Sequence, residues 1–160
     1  MKNDKEFFDI ISDILENKIF QDLKLYKHHY IYTRFEHCIS VSYYTFFICK
    51  FLKLDYISTT RAALLHDLFF YDCEDKFIRP KNHIKIHPKV ALQNAKKLFE
   101  INELQQDIIL KHMWPMTFCP PKYFESFIVT FIDKYCAFKE WRNFCAFHLK
   151  LTLPIFCFSI

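Results

Sequence analysis

Apolar positions recur at three- and four-residue steps along most of the chain, the spacing of helices that bury one face. The first such stripe predicts a helix from about Asp4 to Phe20, and a weaker pattern predicts a second over 22–30. A nearly continuous apolar run predicts a buried central helix over 36–54. Four further patterns predict helices over 59–70, 87–99, 104–113 and 122–141.

Residues that favour helix ends lie between these stripes. Ser58 is expected to cap the helix over 59–70, and Asn102 with Gln105 approximates a capping box. Pro88 suits a first helical position, which places the start of that helix at His87. The polar segment 71–86, interrupted by a proline, is predicted to be a loop over the functional site.

The fold class predicted from these patterns is all-α, one bundle of five to seven helices. The chain has 160 residues and no glycine, which disfavours hairpin-rich β architecture and leaves Asn or Asp for turns that need positive φ. This length suits one domain over 1–160, with a core at about 33–141, an N-terminal helix and an apolar C-terminal helix.

Composition narrows the chemistry. Without glycine there is no Gly-rich phosphate loop, so a phosphate must be held by metal, by basic side chains or by helix N-termini. The 22 Lys and Arg against 18 Asp and Glu are scattered, which suits a small anion better than a nucleic-acid polymer. The seven cysteines form no C-x-x-C and are expected to be reduced core thiols.

The two ends of the chain suggest a location. The N-terminus lacks the uninterrupted apolar stretch of a secretory signal, which favours the cytoplasm. The apolar run 145–160 is interrupted by Lys150 and Pro154 and is too short for a membrane span. We expect it to form a final helix against the core, with a homodimer contact as the alternative.

Four polar residues stand in apolar surroundings. His66 and Asp67 close an apolar helix, His37 lies near the start of the preceding helix, and Asp133 lies inside a late apolar helix. An ionised carboxylate in such a place is costly to bury unless a cation or donor network compensates it. Two imidazoles and two carboxylates suit a divalent metal, namely Fe, Mn or Zn, with Mg as a further option.

The order of these residues resembles the HD superfamily of phosphohydrolases, whose pattern is a first His, a His-Asp pair and a distant Asp. The segments that carry the resemblance are RFEHCISVS, RAALLHDLFFYD and FIVTFIDKYC. It implies a metal-dependent phosphohydrolase that uses metal-activated water on a small phosphate ester or anhydride, with a nucleotide as the expected substrate.

Two further histidines, His87 and His112, resemble those of dinuclear HD subgroups. The resemblance implies that Asp67 bridges two metal ions and helps to activate the water. His37, His66 and Asp133 would then bind one ion, and His87 and His112 the other.

Several polar residues near these motifs are candidates for substrate contact. They are Arg34, Arg79, Lys81, His83 and Lys111, and Asp72 is a further catalytic candidate. Phe70 departs from the family pattern, because many relatives have Lys or Glu three residues after the Asp of the pair. Met113-Trp114-Pro115 replaces the Gly-Tyr-Pro of cyclic-dinucleotide enzymes, which disfavours those substrates.

Three alternatives stay open from the sequence. The chain could be a mononuclear HD nucleotidase, with His87 and His112 near the pocket rather than on metal. The Phe70 departure leaves room for a catalytically silent ligand-binding or regulatory module of the same fold. Without the resemblance, it could be an all-α interaction domain, in which five residues need not converge: His37, His66, Asp67, His112 and Asp133.

Overall fold

The helices follow the predicted order closely. The computed structural model describes residues 2–28, 31–72 and 80–152, and within them all regular elements are helical, which confirms the all-α class. The seven α-helices of this part of the chain are α1 (Lys2–Glu16), α2 (Lys18–Gln21), α3 (Arg34–Phe51), α4 (Tyr56–Leu65), α5 (His83–Leu98), α6 (Glu103–Lys111) and α7 (Phe124–Thr152).

The N-terminal stripe is divided at Asn17. Its Oδ1 atom accepts hydrogen bonds from the backbone N–H groups of Ile19 at 2.9 Å and Phe20 at 3.3 Å, so α2 starts anew. Asparagine competes in this way with the helical backbone pattern. The helix predicted over 22–30 is wrong: Asp22–Leu25 is a single 3-10 turn.

The two helices that frame the His-Asp pair are capped by side chains. Thr33 and Glu36 form a reciprocal capping box that starts α3. Asp55, rather than the predicted Ser58, caps α4, because its carboxylate accepts the Ser58 N–H at 3.0 Å. The helix then ends at Leu65, so His66 and the residue after it lie in the following turn.

The predicted start of α5 is wrong. The helix begins at His83, and Pro88 lies inside it rather than at its first position. Proline has no N–H to donate to the carbonyl of Ile84, so one helical hydrogen bond is missing. The helix continues because its buried face, which includes Ala91 and Leu92, packs on the core. Residues 83–86 therefore belong to this helix, and 73–79 of the predicted loop lie outside the described residues.

The second half of the chain agrees better with its pattern. The predicted capping box is confirmed, with Asn102 and Gln105 exchanging hydrogen bonds of 2.9 Å at the start of α6. The last helix, α7, runs to Thr152 and so includes part of the apolar C-terminal run; 153–160 lie outside the described residues. No helix in the described part of the chain is long and apolar enough to cross a membrane.

The core lies where α3, α4, α6 and α7 meet. Helix α5 packs on α6, and α1 packs on α4. Of the described cysteines, Cys38, Cys49 and Cys136 are buried free thiols, as predicted, whereas Cys119 is exposed. Lys53 adopts φ 56° in the turn after α3, a conformation that the sequence predicted for Asn or Asp.

Candidate metal centre

The six predicted ligands come together around the Asp67 carboxylate. Its Oδ1 atom lies 3.4 Å from Nε2 of His87 and 3.5 Å from Nε2 of His112. Its Oδ2 atom lies 3.7 Å from Nε2 of His66. The two oxygens of one carboxylate therefore face two different groups of imidazoles.

The second carboxylate completes the other half of the cluster. Oδ1 of Asp133 lies 3.0 Å from Nε2 of His37 and 3.6 Å from Nε2 of His66. These atoms come from α3, the turn after α4, and α7, elements that pack directly on one another. The sequence hypothesis in which these residues do not converge is wrong.

Three of the imidazoles are oriented by helix carbonyls. His66 and His112 each follow the last residue of a helix, and their Nδ1–H groups donate to the carbonyls of Ala63 at 2.7 Å and Ile109 at 2.8 Å. Nδ1–H of His87 likewise donates to the His83 carbonyl at 2.9 Å. Because Nδ1 carries the proton in each ring, the Nε2 lone pair is left facing the cluster.

The resulting arrangement is suited to hold a cation. Nε2 of His87 and Nε2 of His112 lie only 2.9 Å apart, although both are acceptors once their Nδ1 atoms donate to carbonyls. Within the described residues, Nε2 of His66 and Oδ1 of Asp67 are also buried without a hydrogen-bond partner. Buried acceptors that face one another repel, whereas separations of 2.9–3.5 Å suit ligands sharing an ion at about 2.0–2.2 Å.

Burial and neighbouring charges set the protonation states of His87, His112 and Asp67 in a way that favours metal binding. Burial, together with the nearby His66 and His87, lowers the pKa of His112 to about 3. Burial also lowers the pKa of His87. Burial alone would raise the pKa of Asp67, but the surrounding histidines outweigh it and hold that pKa well below its usual range. His87 and His112 are therefore neutral and face an ionised carboxylate.

His37 is held by a carboxylate on each ring nitrogen. Its Nδ1 atom lies 2.8 Å from Oε1 of Glu140, which is buried, while Nε2 faces Asp133. Burial disfavours the imidazolium, but these two hydrogen bonds prevail and raise the pKa of His37 to about 10. Sequence reasoning missed Glu140, although it follows Asp133 at a seven-residue interval on the same helix face.

A histidine outside the predicted set also reaches the cluster. Nδ1 of His28 lies 3.7 Å from Oδ2 of Asp67, and its ring centroid lies 3.9 Å from that of His37. With His37 and Asp67 it forms a group whose ligand atoms are close enough to hold an ion. It precedes α3 in an irregular segment, so no periodicity in the sequence singled it out.

Lys134 is a second residue that sequence reasoning missed. Its ammonium group donates to the His112 carbonyl at 2.9 Å and to the Thr130 carbonyl at 3.2 Å, and lies 4.0 Å from Oδ2 of Asp133. Burial lowers the pKa of this lysine. It ties the turn that carries His112 to α7.

Arg34, predicted to contact substrate, has a structural task. It is fully buried, and its guanidinium donates to the carbonyls of Phe69 at 2.7 Å and Tyr71 at 3.1 Å. The guanidinium also stacks 3.6 Å from the centroid of the Phe69 ring. Asn94 donates to the Leu68 carbonyl at 2.9 Å, so both residues fix the segment that follows the His-Asp pair. Substrate contact by Arg34 stays a prediction.

The other candidates lie at different distances from the cluster. His83 stacks on His87 with centroids 4.5 Å apart, and its Nδ1 atom shares a hydrogen bond of 2.9 Å with the Tyr71 hydroxyl. Lys81 is exposed and Lys111 donates to Sγ of Cys119, and both line clefts beside α5.

Asp72 and Phe70 lie close to the His66-Asp67 pair in the sequence. Asp72 is partly exposed, and its catalytic role stays a prediction. Phe70 packs against the core, with its ring centroid 6.0 Å from that of Tyr26. Arg79 lies outside the described residues.

Comparison with known proteins agrees with this cluster. A family model described as HD domain matches residues 34–137, which covers more than half of the chain and includes all six predicted ligands. No curated protein and no solved structure matches the chain.

Proposed function

The chain belongs to the HD domain family, and on that premise we propose that it is a phosphohydrolase with two divalent metal ions. Its proposed substrate is a small phosphate ester or anhydride, a nucleotide in the first instance. The family consists generally of metal-dependent hydrolases and includes some non-catalytic members.

One observation supports the metal centre above the others. The Nε2 atoms of His87 and His112 face each other at 2.9 Å, with their Nδ1–H groups already donating to carbonyls. The lowered pKa values of both rings leave no proton to bridge them at neutral pH. A cation bound by both nitrogens removes the repulsion, which is why we assign this pair to a metal ion.

Two sets of residues would hold the ions. His87, His112 and Oδ1 of Asp67 form one set, and His37, His66 and Asp133 form the other, with Oδ2 of Asp67 facing His66. The mixture of imidazole and carboxylate suits Fe, Mn or Zn better than a thiophilic ion. Bound metal supplies charge stabilisation to a phosphoryl group and lowers the pKa of water towards neutrality.

The chain's own residues provide position and protonation. Asp67 stays ionised, so it can present an oxygen to each half of the centre. Arg34 and Asn94 fix the backbone after the pair, and Glu140 fixes the His37 ring. Such support holds the ligands in place before a substrate arrives, which reduces the reorganisation that binding requires.

Metal content and phosphate release test the proposal together. We expect two ions per chain after loading with Mn²⁺ or Zn²⁺ and dialysis, and phosphate release from at least one nucleotide. Asp67→Asn should lose both, whereas Asp9→Asn, a matched change at an exposed position of α1, should lose neither. Phosphate release retained by Asp67→Asn would overturn the mechanism.

Two alternatives are separated by the same measurements. One ion per chain, with activity intact, would favour the mononuclear nucleotidase. Two ions without phosphate release from any nucleotide would favour a catalytically silent module, for which the apolar Phe70 after the pair is the supporting observation.

A further inference from the structure

Two adjoining clefts lie beside the metal centre along α5. The first, of about 210 Å³, is lined by Lys81, His83 and Lys85 among others. The second, of about 380 Å³, is lined by Lys85, Lys89, Lys111 and Phe118 among others. Because Lys85 lines both, they form one surface, here called the lysine cleft.

The described residues that line the lysine cleft carry a net positive charge. Among them there are lysines but no acidic side chain. Lys81, Lys85 and Lys89 are exposed, and within the described part of the chain their ammonium groups form neither ion pairs nor hydrogen bonds. Lys85 and Lys89 lie one helical turn apart, about 6 Å along the axis, so they present neighbouring charges. Such a surface attracts an anion with several charges.

The lysine cleft begins at the edge of the metal centre. His83, which lines its first part, stacks on the ligand His87 with ring centroids 4.5 Å apart and planes inclined by 25°. The two imidazoles are therefore in direct contact. Because a step of two residues turns a helix by about 200°, Lys85 and Lys89 lie on the side of α5 opposite His83 and His87. Most of the cleft therefore faces away from the metal centre.

The far part of the cleft offers an aromatic ring. Phe118 lines it with 97% of its surface exposed. A phenylalanine this exposed contributes almost nothing to the packing of the described residues. Aromatic rings beside cationic groups are the usual platform for a nucleobase, which stacks on the ring while its phosphates meet the cations.

From this arrangement we propose that the lysine cleft binds a nucleoside polyphosphate. The phosphate chain lies against Lys81, Lys85 and Lys89, and the base stacks on Phe118. This binding surface does not rest on the proposed function. Several lysines in a row match the charge of a polyphosphate better than that of a monophosphate, so polyphosphates are the preferred class.

Binding measured without metal tests the cleft by itself. Calorimetric titration with adenosine triphosphate, in EDTA and at low ionic strength, should detect binding that weakens as salt is added. In Lys85→Ala/Lys89→Ala the affinity should fall by at least about tenfold, the loss expected from one charge-assisted contact. Lys18→Ala/Lys97→Ala removes the same charge at exposed positions elsewhere and should bind within about twofold of the wild type. Equal losses in the two double variants would overturn the proposal.

A second arm separates the base from the phosphate chain. Phe118→Ala should lower the affinity for adenosine triphosphate by about fivefold or more, because one stacked base is lost. Its affinity for inorganic tripolyphosphate should be unchanged. If Phe118→Ala binds both adenosine triphosphate and tripolyphosphate with wild-type affinity, the assignment of Phe118 to the nucleobase is wrong.

The two proposals fail in different ways. Failure of the metal centre would appear as no bound metal, with adenosine triphosphate still bound in EDTA. Failure of the lysine cleft would appear as normal metal content, with adenosine triphosphate binding that does not respond to the lysine changes.

Discussion

Glu140 and Asp133 hold the two nitrogens of the His37 ring from positions two turns apart on α7. Oε1 of Glu140 lies 2.8 Å from Nδ1, and Oδ1 of Asp133 lies 3.0 Å from Nε2. Only Nε2 faces the other proposed ligands, so in the proposed centre Asp133 would share a metal ion with His37 while Glu140 orients the ring from behind. A carboxylate in that place fixes the tautomer and makes the imidazole a stronger ligand.

Removing the Glu140 charge should weaken metal binding without removing a ligand. We expect Glu140→Gln to lower the affinity for Mn²⁺ or Zn²⁺ by about 10–100-fold, the usual cost of losing such support. Competition with a chromogenic chelator measures this change. Glu125→Gln, at the start of the same helix, is the control and should bind metal as the wild type does. Unchanged affinity in Glu140→Gln would show that the hydrogen bond has no part in holding metal.

Metal affinity should rise with pH because His37 must release a proton. The pKa of His37 is raised to about 10, so the metal-free ring is protonated at neutral pH. Each proton displaced makes the affinity about tenfold higher per pH unit over the range below that pKa. Titration with Zn²⁺ in weakly buffered solution should register proton release. In Glu140→Gln the release should be smaller at pH 8, since one of the groups that raise the pKa is gone.

Without metal, the fold should be most stable close to pH 6.5. The folded pKa of His37 lies above the ordinary value of 6.5, so its contribution is complete below 6.5 and is lost as pH rises towards 10. The folded pKa of His112 is about 3, so stability instead falls as pH drops from 6.5 towards 3. Urea unfolding in EDTA between pH 5 and 9 measures the curve. A stability that rises steadily through this range would contradict the assignment.

Arg34 should matter to stability. Replacement by Met keeps much of the side chain's bulk but leaves the carbonyls of Phe69 and Tyr71 without their charged donor. We expect a loss of about 3 kcal/mol in the free energy of unfolding, measured by urea denaturation, because both acceptors are deprived of a charged partner. Arg142→Met, at an exposed position of α7, is the comparison and should change stability by less than about 0.5 kcal/mol. A similarly small change in Arg34→Met would contradict the structural role assigned to Arg34.

Sequence patterns predicted the helices well where apolar periodicity and capping residues indicated the same boundaries. The stripes gave α3, α6 and the beginning of α7 to within a few residues, and the capping box at Asn102 was confirmed. They failed where side chains compete, as at Asn17, which divides the first helix, and at Pro88, which does not start α5. A propensity describes the average behaviour of a residue type. At Asn17 side-chain capping outweighed the helical periodicity, and at Pro88 core packing outweighed the preference of proline for the first helical position.

The sequence alone predicted the all-α class and the six residues that converge. His37, His66, Asp67 and Asp133 were recognised as polar groups in apolar helical surroundings, and His87 and His112 by their resemblance to the dinuclear HD subgroups. Only the tertiary structure revealed Glu140, His28 and Lys134, and the buried position of Arg34. The lysine cleft was also invisible in the sequence, since its basic residues come from two helices and the turn before α5. Periodicity records which face of a helix is buried, whereas partners from distant segments are fixed only when the helices pack.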